Sequence, residues 1–119
     1  MREIKFRGKS KHDGEWVYGC LLDTGNQTPV IVDCCDRKIC EVIPDTVGQY
    51  TGLEDSSNIM RIYEGDILKD PEYGTTVIVE WQGDGFIARY KNGVEIALAN
   101  INEYYDVIGN IHDERPVEG

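Results

Sequence analysis

Apolar residues along this chain recur at every second position, and turn-forming residues cut the runs short. Successive side chains on a strand point to opposite faces, so this period dictates short, half-buried strands. Ile4 and Phe6 alternate with Glu3, Lys5 and Arg7. After the turn His12-Asp13-Gly14-Glu15, the residues Trp16, Tyr18, Cys20 and Leu22 share one face of a returning strand, a hairpin pattern. Val30-Ile31-Val32 and Ile39 to Ile43 read as two further strands, joined by the turn Asp36-Arg37-Lys38. Pro44-Asp45 breaks the pattern, and Asp45 or Thr46 is suited to cap one short helical turn. Gly48 argues against a longer helix.

The second half repeats the pattern more clearly. Val77, Val79 and Trp81 share a strand face, Gln82-Gly83-Asp84-Gly85 turns the chain, and Phe86, Ala88 and Tyr90 form the returning face. Asn92-Gly93 predicts a type I′ hairpin, with positive φ at both central residues. A single helical or 3₁₀ turn is expected over 99–103, and Tyr105, Val107, Gly109 and Ile111 form a last strand. The fold class expected is mainly β and barrel-like: an N-terminal β-hairpin region over 1–53, a linker loop over 54–61, a C-terminal SH3-like barrel over 62–114, and a frayed tail over 115–119.

With 119 residues the chain can build one real core. It has no apolar run long enough for a membrane span and no signal-peptide stretch at its start, so a cytoplasmic protein is expected. The net charge of -10 is uneven: residues 1–46 carry 7 Lys/Arg against 8 Asp/Glu, and residues 47–119 carry 5 against 14. An acidic half repels phosphate backbones and disfavours nonspecific nucleic-acid binding. Cys34-Cys35 and Cys40 lack the C-x2-C spacing of a zinc knuckle, and Cys20 stands apart, so neither a metal nor a cofactor is expected.

Catalysis needs a nucleophile with a base, paired carboxylates or a metal. The two histidines, His12 and His112, lie in a predicted turn and near the tail. Glu64 and Asp66 flank Gly65, where an aspartate accepts backbone N–H groups and glycine supplies the permissive φ, so turn chemistry is the expected role. No enzyme is expected. The residues suited to recognition are Lys5, Arg7, Lys9 and Lys11, two apart on one strand face, with Trp16 nearby, and the pair Tyr104-Tyr105, of which one neighbour should be exposed. The basic strand reads equally well as an edge guarded by its charges.

Five segments in order carry a family resemblance: Met1 to Arg7, Trp16-Val17-Tyr18-Gly19, Val47-Gly48-Gln49-Tyr50-Thr51-Gly52-Leu53, Ile62-Tyr63-Glu64-Gly65-Asp66-Ile67, and Asp106-Val107-Ile108-Gly109-Asn110-Ile111. Together they resemble the YopX protein family of phages and prophages, from residue 1 to about 114. The resemblance implies a small mainly-β protein of phage origin in the bacterial cytoplasm, and it brings no catalytic residues with it. One departure stands out. The family's linker reads like Asp-x-Asn-Gly-Lys, whereas here it is Asp55-Ser56-Ser57-Asn58-Ile59-Met60-Arg61, which gives Ile59 and Met60 a chance to pack. The function expected is a non-enzymatic phage accessory protein that binds a host or phage protein and forms a homo-oligomer. The alternatives are a nucleic-acid-associated small barrel, through the basic strand and Trp16, and an acidic nucleic-acid mimic acting on a host DNA-binding protein.

Overall fold

The computed structural model describes residues 5–23, 28–33, 38–83 and 85–113. The pair Cys34-Cys35, the turn residues Asp36-Arg37 and the tail from Glu114 lie outside them. The chain divides into two compact units, Met1–Tyr50 and Thr51–Gly119. Eleven strands among the described residues make two antiparallel sheets, with three short 3₁₀ turns at Pro44–Thr46, Leu98–Asn100 and Asn102–Tyr104.

In the first unit β1 (Phe6–Lys9), β2 (Trp16–Asp23), β3 (Pro29–Val32) and β4 (Ile39–Glu41) pair in the order β4-β3-β2-β1, and the start of β5 (Gly48–Glu54) pairs with the other side of β1. The alternation sets the faces: Gly19 is buried while Tyr18, Cys20 and Leu22 are exposed. Val30, Ile31 and Val42 form the buried apolar set. Gly8 lies flat against Val42, where an added Cβ would sit 3.0 Å from the valine Cβ. β1 is an interior strand, not an edge, because β2 and β5 take both its sides. A single turn forms at Pro44–Thr46, but its N-cap is Ile43 with no side-chain cap, so Asp45 and Thr46 lie within the turn rather than capping it. Thr46 ties it down: its hydroxyl donates to the carbonyl of Ile43 (2.6 Å) and accepts the N–H of Lys9 (2.8 Å).

In the second unit β6 (Arg61–Tyr63) pairs with the end of β5. The strands β7 (Asp66–Lys69), β8 (Thr76–Gln82), β9 (Gly85–Tyr90), β10 (Glu95–Ala97) and β11 (Asp106–Asn110) form a sheet of order β10-β9-β8-β7-β11. Ile62, Leu68, Val77, Val79, Ala88, Leu98 and Tyr105 make its core. This sheet is open rather than a closed barrel. Among the described residues no pairing joins β10 to β11, β10 is three residues long, and β11 carries a register shift between Val107 and Gly109. The core is instead covered by Ile62 of β6 and Leu98 of a 3₁₀ turn, both fully buried.

Two turns differ from expectation. At Asn92-Gly93 only the glycine has positive φ, +92°. Gly93 N–H donates to the Tyr90 carbonyl (2.9 Å) and Tyr90 N–H to that of Val94 (2.8 Å), which makes a three-residue loop closed by a glycine bulge. The longer loop leaves the left-handed conformation to glycine alone. The stretch 54–61 belongs to the second unit, and its Ile59 and Met60 are exposed.

That stretch is anchored by Asp55, which is 3% exposed. Its carboxylate accepts the N–H and hydroxyl of Ser57 and the N–H of Val107 (3.1 Å). The Val107 N–H points away from β7, so Asp55 occupies a donor that an edge strand would otherwise offer to another chain. Burial opposes the charge on Asp55, but the bonds from Ser57 and Val107 outweigh it and hold the carboxyl below its ordinary value of 3.8. The sign follows from linkage: this contribution to stability is complete above pH 3.8 and is lost as pH falls through the lower folded-state pKa. Chemical denaturation of wild type and Asp55→Asn between neutral pH and strongly acid pH is expected to show the wild type's advantage shrinking only below about pH 4. An advantage that is constant with pH would overturn this role.

Candidate functional site

The expected basic stripe is not laid out as one solvent face. Lys5 and Lys9 are half-buried, Lys11 is exposed in the turn after β1, and Arg7 is 6% exposed. The Arg7 guanidinium lies over the ring of Trp16 at 4.6 Å, and the Lys9 ammonium approaches the same ring at 5.5 Å. Lys9 and Trp16 are direct partners across β1 and β2, with Arg7 opposite Tyr18. A cation near an aromatic face contributes roughly 0.5–2 kcal/mol, more where water is excluded. The geometry fits an internal fastening of β1 to β2. Lys11 reaches Thr28 instead, at 3.5 Å.

The two adjacent tyrosines separate sharply. Tyr104 ends a 3₁₀ turn and is 67% exposed, whereas Tyr105 is a core residue. The Tyr105 hydroxyl lies 3.0 Å from that of Tyr90. Burial first, and then this hydrogen bond, push its pKa well above the ordinary tyrosine value. Tyr105 is a packing residue, and only Tyr104 is presented.

The more developed surface lies on the outward face of the five-stranded sheet. Because Val77, Val79 and Ala88 point into the core, the residues between them point away from it. Cross-strand registry then builds rows on that face. Ile67, Ile78, Arg89 and Glu95 are successive partners across β7, β8, β9 and β10. Beside them run Lys69 with Thr76, and Glu80 with Ile87. Arg89 is held from both sides. It donates to both carboxylate oxygens of Glu80 (2.9 and 3.0 Å) and pairs with Glu95 at 2.7 Å. The hydrogen bond with Glu80, more than the added charge of Glu95, raises the guanidinium pKa further above its ordinary value.

A hollow of about 380 Å³ opens on this face, floored by Ile67 and Ile78 and rimmed by Thr76, Arg89 and Lys91. A second recess of about 310 Å³ adjoins it, sharing Thr76, Tyr90 and Lys91 and continuing to Gly74 and Asn92. A floor of aliphatic side chains with a few placed polar groups is the composition of a binding site. Sequence reasoning missed it because it followed the core-facing phase of β8 and β9. The available signal was Val77-Ile78-Val79, apolar on both phases of one strand, where an antiparallel strand with one solvated face should alternate.

Among the described residues no three His, Cys, Asp or Glu side chains come together as metal ligands, and no helix is long and apolar enough to cross a membrane. The carboxylate of Asp66 accepts the buried N–H of Tyr63 at 2.7 Å, and Gly65 takes φ +92° with its carbonyl accepting from Ile111. The Glu64-Gly65-Asp66 segment therefore fixes a turn.

Among curated proteins nothing matches this chain. Among solved structures it is similar to the crystal structure of protein EF1440 from Enterococcus faecalis, with TM-score 0.60 and 22% identity over 94% of this chain and 95% of that one. That likeness concerns the fold alone. The YopX protein family matches residues 5–116, nearly the full length and across both units, and the chain belongs to that family.

Proposed function

We propose that this protein is a non-enzymatic protein-binding module, an accessory protein of phage or prophage origin acting in the bacterial cytoplasm, and that it works through the outward face of its five-stranded sheet. One observation carries this reading: the hollow floored by Ile67 and Ile78 on a face that a soluble antiparallel sheet ordinarily gives to polar side chains. The lining supports recognition rather than bond-making. Of its two cations, Arg89 and Lys91, the guanidinium is already committed to Glu80 and Glu95. The basic strand supports nucleic-acid binding less well, since Arg7 and Lys9 are gathered around Trp16.

A photo-crosslinking amino acid replacing Lys91, at the rim of the hollow, tests the reading in cells. The control is the same replacement at Ile39, an exposed apolar residue of β4 in the other unit. Discrete adducts sensitive to protease are expected from position 91 and not from 39. Adducts sensitive to nuclease, equal labelling from both positions, or none from 91 would each sink it.

A further inference from the structure

We infer that the partner seated on this face is a second copy of the chain, with Tyr73 of each copy entering the hollow of the other; the inference rests on the protein-binding reading above. A two-fold contact requires one patch that complements itself, so a projection and a recess must lie together on the same copy. Both are present.

The projection is Tyr73, on the turn between β7 and β8. It is 77% exposed, next in sequence to Gly74, which bounds the adjoining recess. It is also rigidly presented. Asp70 N–H donates to the Thr75 carbonyl (2.8 Å), and Gly74 N–H donates to that of Asp70 (2.7 Å). The Asp70 carboxylate accepts the N–H groups of Glu72 and Tyr73. A large side chain held out on a fixed turn loses little conformational freedom when it is buried, which is why tyrosine serves so often as an interface anchor. The recess is the hollow over Ile67 and Ile78, continuous through Thr76 with the space beside Gly74.

Charge selects the occupant. The chain carries -10, so two copies repel wherever their acidic surfaces meet. On this face the charges are mixed rather than uniformly acidic. Lys69, Arg89 and Lys91 are set against Glu80, Glu95 and Asp106, with Asp70 and Glu72 on the turn that carries Tyr73. Registry pairs several of them directly, Asp106 opposite Lys69 and Glu95 opposite Arg89. A face of mixed charge with isoleucines at its centre offers little to a strongly charged partner. Two acidic copies repel less there than where uniformly acidic surfaces meet.

Sedimentation over a range of concentrations tests this on the full chain. The wild type is expected to dimerise, and more tightly as salt screens the repulsion of the two net charges. Tyr73→Ala and Ile78→Glu are each expected to weaken the dimer by about 30-fold or more, the effect of removing a central anchor. Ile39→Glu, at an equally apolar exposed site in the other unit, should leave it unchanged. Circular dichroism melts check that each variant is folded. Tyr73 is a side chain at a turn tip, so its variant remains informative if Ile78→Glu does not fold. A wild type that stays monomeric, a dimer unmoved by Tyr73→Ala, or association that weakens with salt would overturn the inference. A monomer whose position 91 still crosslinks to a different protein would overturn only the second copy and leave the protein-binding reading standing. A monomer with no adduct from position 91 would overturn both.

Discussion

Gly19→Ala is expected to cost the first unit about 3 kcal/mol or more, the upper end of what forced overpacking does. Gly19 lies in β2 between β1 and β3, and a Cβ built on it falls 2.1 Å from the carbonyl oxygen of Val32 and 3.2 Å from the Cα of Asp33. Both obstacles are backbone. Relief requires separating β2 from β3, which opens the pairs Cys20–Val32 and Leu21–Ile31 over the buried Val30 and Ile31. Against a total of about 5–15 kcal/mol for a typical domain, such a loss is a large fraction. The thermal midpoint of this unit should fall by about 15 °C, taking roughly 4–8 °C per kcal/mol for a unit of this size. Gly85→Ala is the control: no positive φ binds it to glycine, and an added Cβ meets nothing within 4 Å. Its effect should stay within about 0.5 kcal/mol. Equal midpoints for Gly19→Ala and Gly85→Ala in a calorimetric scan would show that the two backbones do not approach as described.

Gly19 also shows what a sequence does and does not disclose. That β2 alternates was legible from Trp16 to Leu22, and so was its pairing with β1. Which neighbour fills the space where Gly19 has no side chain depends on how β3 pairs with β2: Val30-Ile31-Val32 reads as a strand, but its register is not a local property. The same division runs through the chain. Val77, Val79, Phe86, Ala88 and Tyr90 followed from period two, whereas the single turn expected over 99–103 is two 3₁₀ turns, Leu98–Asn100 and Asn102–Tyr104. Closure of the sheet did not follow, because whether β10 meets β11 depends on the short length of one and the bulge of the other. Arg7 was misplaced for a similar reason. A charged residue in an alternating strand reads as solvent-facing, and only the registry that sets Trp16 opposite Lys9 reveals the aromatic ring that covers it.

The candidate site was the least legible part. It is made of the phase of each strand that the core does not use, so a search for buried residues passes over it. Ile67, Ile78 and Arg89 are 11 residues apart in sequence at each step, and only the registries of β7, β8 and β9 bring them into one row. Tyr73 was not singled out in the sequence, and its position beside the recess needed the fold. Of the residues singled out for recognition by charge or aromaticity alone, Arg7 and Tyr105 are buried, Lys5, Lys9 and Trp16 are half-buried, and Lys11 and Tyr104 are exposed.

Asp66→Ala is expected to have the other large effect, about 3 kcal/mol on the second unit, because it removes the acceptor and leaves a buried donor. The Asp66 carboxylate is 1% exposed and receives the Tyr63 N–H at 2.7 Å, across a turn whose Gly65 holds φ +92°. Gly65 N–H donates to Val79 and its carbonyl accepts from Ile111, so the turn joins β8 and the end of β11 to β6 and β7. Alanine cannot accept the bond, and no water reaches the buried Tyr63 amide without opening the turn. Asparagine keeps an acceptor oxygen of nearly the same shape, so Asp66→Asn should lose roughly half as much or less. Amide hydrogen exchange resolves the effect by residue. Protection at Tyr63 should collapse in Asp66→Ala and survive in part in Asp66→Asn, while amides in the first unit stay as in the wild type. Unchanged protection at Tyr63 in the alanine variant would mean that the glycine alone sets the turn. Since β7 begins at Asp66, the next residue on the strand is Ile67, and a turn that opens here also releases one side of the floor of the hollow.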